Sequence, residues 1–195
     1  AYQLAMVATL LPFAALGGIL GHRRIYLAGV VVFIVSSVIC AMAWSLPSLA
    51  AARALQGIGA SAIMSVNTAL ISAIFPIHRL GRGVGLNALV VGVSFAVGPT
   101  VASVILSFGS WPWLFAVNLP IGLLALAIAI PSLPKTKRSD HGFDPVAAIL
   151  NVITFASLIF ALGEGVQRAP AEYVVAAAIV FVIAFVLLLR RERGH

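Results

Sequence analysis

Apolar residues fill the chain in long unbroken stretches, with charge confined to short islands between them. Uncharged runs cover 1–21, 25–52, 54–77, 83–134, 145–163 and 173–189, and one bilayer crossing takes about 20 apolar helical residues. The pattern predicts helices over 3–20, 25–46, 48–75, 83–107, 111–131, 144–163 and 171–189. Each break has a local cause. His22, Arg23 and Arg24 interrupt the first pair of spans, while Trp44 and Pro47 supply an interfacial indole and a turn-forming proline after the second. Pro76 through Arg82 end the third. The run 83–134 is too long for one crossing, and Phe108-Gly109-Ser110-Trp111-Pro112-Trp113 is the natural place to divide it.

Composition agrees with this pattern. Of 195 residues, 62% are hydrophobic and 9% charged, which excludes a water-soluble surface and predicts an all-α integral membrane bundle of seven crossings. The formal charge of +7 would fit a nucleic-acid partner only if the basic residues formed one face. They lie between apolar runs instead, so the partner they imply is the lipid bilayer and not nucleic acid. Arg23, Arg24, Arg79, Arg82, Lys135, Lys137, Arg138, Arg190, Arg191 and Arg193 all fall on one side of the predicted bundle, ten of the twelve basic residues. By the positive-inside rule that side is cytoplasmic. The expected location is the bacterial inner (plasma) membrane, multi-pass, with the loops 21–24, 76–82 and 132–143 and the C-terminus inside. The polar stretch Lys135–His141 is the natural linker. It divides a five-helix bundle over 1–131 from two further helices within 144–195, with 132–143 as the basic connection. The apolar run begins at Ala1 without a charged leader, so no signal peptide is expected and a missing start is.

Polar residues inside the predicted spans are the candidates for function. Arg53 stands out, because a mid-helix charge costs roughly 2.5–3.5 kcal/mol on insertion scales and seldom faces lipid. At helical spacing Arg53, Gln56, Gly57, Ala60, Met64 and Asn67 share one arc, with Leu55, Ile58, Ala62, Val66 and Ala69 opposite. Either this polar face lines a cavity in which Arg53 meets an ion, a proton relay or a charged substrate, or Arg53 snorkels to the headgroups near its helix end. In the next span Asn87, Val91, Ser94 and Gly98 share one face, and Gly81, Gly85, Gly92, Pro99 and Ser103 the other. The small residues predict a close helix–helix contact, with Gly98-Pro99 as a possible kink. Asn118 and Asn151 read as interhelical hydrogen-bonding residues.

No Asp or Glu lies in the middle of any span. A proton-coupled carrier needs a titratable group in its path, and a guanidinium does not readily release its proton, so the carboxylate has to come from elsewhere. Enzyme chemistry is not expected: the spans hold no Ser/His pair, no HExxH and no paired aspartates. The histidines fall in predicted loops or at the end, and no metal site or cofactor is expected. Cys40, the single cysteine, reads as a buried structural thiol.

At these residues the sequence resembles the major facilitator superfamily, and within it the fourteen-helix drug:proton antiporters. Leu49-Ala50-Ala51-Ala52-Arg53-Ala54-Leu55-Gln56-Gly57-Ile58-Gly59-Ala60 is similar to that family's fourth-helix motif, whose arginine is associated with proton transfer. Gly92 followed by Gly98-Pro99-Thr100-Val101-Ala102-Ser103 is similar to the fifth-helix antiporter motif, with Ala102 and Ser103 where glycines are usual. Trp111-Pro112-Trp113-Leu114-Phe115-Ala116-Val117-Asn118-Leu119-Pro120-Ile121-Gly122 resembles the tryptophan-rich start of the sixth helix. A weaker match joins Gly17, Gly18, Gly21, Arg23, Arg24 and Arg82 to the cytoplasmic loop motif, with Gly18 where that family carries an aspartate.

The resemblance implies that the seven spans correspond to the second through eighth helices. The first helix and the C-terminal bundle then belong to the same or a partner chain. It implies a secondary active transporter working by alternating access, driven by a proton gradient, that exports small lipophilic and often cationic drugs. The transport or proton pathway is expected at Arg53, Gln56, Asn67, Asn87 and Ser94, and conformational-switch packing at Gly92, Gly98 and Pro99. The alternatives are a carrier of the same fold with another small-molecule substrate, and a non-transporting membrane half that needs a partner.

Overall fold

The computed structural model describes residues 1–134, 146, 149–150, 152–158 and 171–192, and every described element is helical. Helix α1 spans Tyr2–Leu20, α2 His22–Ala41, α3 Leu46–Ile74 and α4 Leu80–Phe108, with a 3-10 turn at Ile77–Arg79 before α4. The next crossing is made of α5, Trp113–Ala116, and α6, Asn118–Ser132. Ala171–Glu192 forms α7. Five helical stretches within residues 2–132 are long and apolar enough to cross a membrane, so this is a multi-pass membrane protein. The predicted linker over 135–141 and Asn151 lie outside the described residues, as does most of the helix expected at 144–163.

The junctions between helices are tighter than the charge pattern predicted. His22, Arg23 and Arg24 are not a loop; they form the first turn of α2, and Gly21 alone joins it to α1. Gly21 has φ 95°, a backbone region that a side chain would strain, which lets the chain reverse in one residue. Arg23 reaches across the bundle and donates through Nη2 to the Ile130 carbonyl in the last turn of α6, satisfying a carbonyl that the helix end leaves without a partner.

Helix α2 ends at Ala41 and not near 46, and α3 begins at Leu46 behind a reciprocal cap. There the Ser48 N–H donates to Ser45 Oγ at 3.3 Å and the Ser45 N–H to Ser48 Oγ at 3.1 Å. Pro47 sits in the first turn, where its missing N–H costs nothing. Arg82, expected in a loop, lies within the first turn of α4. The single span expected over 111–131 is interrupted at Val117 because Pro120 has no N–H to give the Ala116 carbonyl.

The centre of the bundle is α3, flanked by α1 and α2, with α6 against α2. Ile25, Ala62, Val66 and Leu70 make a buried cluster over which Phe13, Leu16, Tyr26 and Leu133 pack. Between apolar helices in lipid, cohesion comes from van der Waals contact rather than from expelled water, so close backbone approach matters most. It occurs at glycines. A Cβ placed on Gly29 would come within 2.9 Å of the Gly59 carbonyl and of Ala62, and one on Gly59 within 2.7 Å of the Phe33 nitrogen. Gly17 sits equally tightly against Val66 and Gly122 against Ile34, while Gly57 meets the Tyr2 carbonyl. Helix α4 is peripheral, touching α3 and α5 only along short stretches, and almost all of its residues are exposed.

Candidate functional site

The tight packing of α1 and α2 on α3 places Arg53 at one end of the bundle, half-buried, on the wall of a cleft of about 980 Å³. Tyr2, Leu4, Val7, Leu46 and Leu49 form much of the rest of that wall. The guanidinium carbon lies 4.4 Å from the centre of the Tyr2 ring and 5.5 Å from that of Phe115. A cation over aromatic faces is held by the ring quadrupoles without being neutralised. Trp111 packs edge-on to Phe115, with ring centres 6.2 Å apart, which places part of the Trp111-Pro112-Trp113 motif behind the ring that faces Arg53.

The guanidinium also donates through Nη1 to Gln56 Oε1. Gln56 is fully enclosed at 1% exposure, and its other amide end donates to Ser37 Oγ on α2 at 2.7 Å. Ser37 in turn donates to the Phe33 carbonyl at 2.7 Å. The Cys40 thiol, also wholly buried, lies 4.0 Å from Gln56 Oε1. Among the described residues, Arg53 is therefore held only by neutral groups. Residues 1–134 contain no Asp or Glu, so no carboxylate of residues 1–134 compensates its charge, and an anion or carboxylate brought to the cleft would meet a positive partner that these residues leave unpaired.

The other predicted pathway residues divide into separate places. Asn67 and Asn87 are brought together, Asn67 Nδ2 donating to Asn87 Oδ1 at 2.9 Å and fastening α4 to α3. Fourteen residues of helix separate Asn67 from Arg53, about 21 Å along the axis, so these groups do not form one site. Ser94 is exposed, and its hydroxyl returns to the Val90 carbonyl of its own helix at 2.7 Å. Nothing lies within 4 Å of a Cβ placed on Gly81, Gly85, Gly92 or Gly98. The contact expected from Gly92, Gly98 and Pro99 is thus not made among the described residues. Of the loop-motif residues, Gly17 is buried inside α1, Gly18 is half-buried in its last turn, Arg23 caps α6, and Arg24 and Arg82 are exposed.

The polar and apolar sides of α3 are not an inside and an outside. Gln56, Gly57 and Ala60 are buried, but so are Ala62 and Val66 from the opposite side, at 4% and 0% exposure. With α1 and α2 on either flank, α3 is covered on both, and in lipid an apolar residue suits protein and membrane neighbours equally. Tyr2, Ser37 and Phe115 join the Arg53 site without being among the residues that the sequence assigns to it. The signals in the sequence are the place of Phe115 in the tryptophan-rich motif and Ser36-Ser37, a hydroxyl pair in an apolar run; the contacts themselves, among α1, α2, α3 and α5, are not local in sequence.

Comparison with known proteins agrees with this architecture. Residues 1–191 match the family model of the Major Facilitator Superfamily. The chain is 46% identical over 98% of its length to the Escherichia coli (strain K12) uncharacterized transporter YebQ, covering 42% of that protein. It is 32% identical over 84% of its length to the riboflavin transporter RibZ of Clostridioides difficile (strain 630), covering 36% of it. Multidrug resistance protein 3 of Bacillus subtilis (strain 168) is 30% identical over 98% of the chain, with 38% of that relative covered. The chain spans about two-fifths of the length of these relatives. With a family match across nearly every residue and a helical membrane bundle of the corresponding kind, the chain belongs to the Major Facilitator Superfamily.

Proposed function

We propose that the chain is part of a secondary active transporter, a proton-driven exporter of small lipophilic and cationic compounds that works by alternating access. The observation that carries this reading is Arg53, a membrane-embedded cation held by Tyr2, Phe115 and Gln56 without a counter-charge in residues 1–134. An uncompensated guanidinium favours the ionised form of any carboxylate brought beside it and disfavours the protonated one. A carboxylate supplied from outside this bundle, docking at the Arg53 cleft in one state and leaving it in the other, would then bind and release a proton as the carrier cycles. The energy source is the proton gradient, with no cofactor. The cytoplasmic side is the one carrying Arg23, Arg24, Arg79 and Arg82. Substrate export requires the bundle to rock against a second one, so the isolated chain is expected to be inactive.

The test is export of a lipophilic cationic dye by the complete carrier in everted vesicles. Wild type should accumulate dye on energisation and lose it with a protonophore, and Arg53→Ala should fall to background. Dye transport unaffected by Arg53→Ala would overturn the role given to Arg53. The similarity to a protein named for riboflavin transport favours a second reading, a carrier of the same fold with another substrate. Riboflavin export without dye export in the same vesicles would select it.

A further inference from the structure

We infer that Ser37 is a positioning residue for Arg53, acting through the Gln56 amide; this role rests on the reading of Arg53 given above. The hydrogen bonds form a directed series from Arg53 to Gln56 to Ser37 to the Phe33 carbonyl. The hydroxyl has a single proton, and Ser37 spends it on Phe33, so it offers Gln56 only a lone pair. Gln56 must answer with its NH2 group, which turns its carbonyl oxygen toward Arg53. The reversed amide would set its NH2 against a guanidinium that has no acceptor, and its carbonyl oxygen against a hydroxyl whose proton already goes to Phe33. Ser37 and Gln56 are 0% and 1% exposed, so bulk water does not replace either partner.

The geometry that makes this series rigid lies at the same crossing. Phe33, which accepts the Ser37 proton, is the residue whose backbone nitrogen lies 2.7 Å from the Cβ position of Gly59. The position of α2 on α3 is thereby passed to the side chain of Arg53 through one hydroxyl and one amide. Ser36 supplies an internal control. It is equally buried, but its hydroxyl bonds only to Val32 at 2.7 Å and Phe33 at 3.0 Å on its own helix.

The experiment is proton-driven export by the complete carrier, with maximal rate and KM measured for the cationic dye, or for riboflavin if that is what it exports. Ser37→Ala should lower the maximal rate about tenfold with KM unchanged, the loss of one buried hydrogen-bond partner, while Ser36→Ala should match wild type. In an Arg53→Lys background, which lacks the planar fork, Ser37→Ala should cost nothing further. Ser37→Thr keeps the hydroxyl and should retain most of the rate, which also covers failure of Ser37→Ala to fold. Equal losses for Ser36→Ala and Ser37→Ala, an additive loss in the Arg53→Lys background, or a Ser37→Thr carrier as slow as Arg53→Ala would overturn the positioning role. Wild-type rates in Arg53→Ala, or no proton-driven export of either substrate by wild type, would instead overturn the reading of Arg53 and this role with it.

Discussion

Replacing Gly59 with leucine should leave no stable monodisperse protein in detergent, and even Gly59→Ala should cost about 2–3 kcal/mol. The position has no room for a side chain. A Cβ there would stand 2.7 Å from the Phe33 nitrogen, 3.0 Å from the Phe33 Cα and 3.0 Å from the Gly29 carbonyl. All three are backbone atoms, which cannot rotate aside as the end of a side chain can. Helices α2 and α3 would have to separate, and in a bilayer no hydrophobic force pulls them back; what is lost is the dispersion contact that replaced lipid. Gly98→Ala is the matched comparison. Nothing lies within 4 Å of its Cβ position, and alanine is better than glycine inside a helix by roughly 0.5–1 kcal/mol. Thermal midpoints of the monomer peak on size exclusion would read both. A Gly59→Leu protein as stable as Gly98→Ala would refute the crossing described here. A measurable cost at Gly98 in the complete carrier would instead report contact with a segment outside this chain.

Gln56→Leu should destabilise the bundle by about 1–3 kcal/mol and abolish the proposed proton coupling, although leucine fills nearly the same volume. The amide accepts from Arg53 and donates to Ser37 from a site at 1% exposure, and removing it leaves a half-buried guanidinium with its acceptor gone. Gln56→Glu separates the two effects. A carboxylate there would meet Arg53 as a charge-assisted partner, which offsets the loss of the N–H that Ser37 accepts, so the fold should stand. The proposed proton-driven export should be lost, because the cation that the proposed mechanism keeps available is now neutralised. Dye export against thermal midpoint for the three proteins is the measurement. A Gln56→Glu carrier that exports at the wild-type rate would show that an unpaired Arg53 is not required.

The contrast between these glycines shows where sequence reading reaches its limit. Gly92, Gly98 and Pro99 lie in a recognisable motif, whereas Gly29 lies in none and Gly59 is only a motif member, yet the close crossing of α2 on α3 belongs to Gly29 and Gly59. Small residues announce that a close approach is possible, and the partner that makes it real comes from a distant part of the chain. Likewise His22, Arg23 and Arg24 read as a topology-setting loop, and the fold uses Arg23 to close the end of α6.

The sequence by itself determined the membrane class, the first five crossings within a few residues, the family and the singular status of Arg53. These follow from local quantities: the length of uncharged runs, the cost of a buried charge, and motif residues adjacent along one helix. Tertiary structure alone decided which glycines touch, that Val66 is as buried as Gln56, and that Tyr2, Ser37 and Phe115 surround or steady Arg53. In a soluble protein an apolar stripe marks the inward face, but here lipid and protein interior are equally apolar. The side on which a helix finds its neighbour is therefore fixed by shape and hydrogen bonding, which appear only once the helices have met.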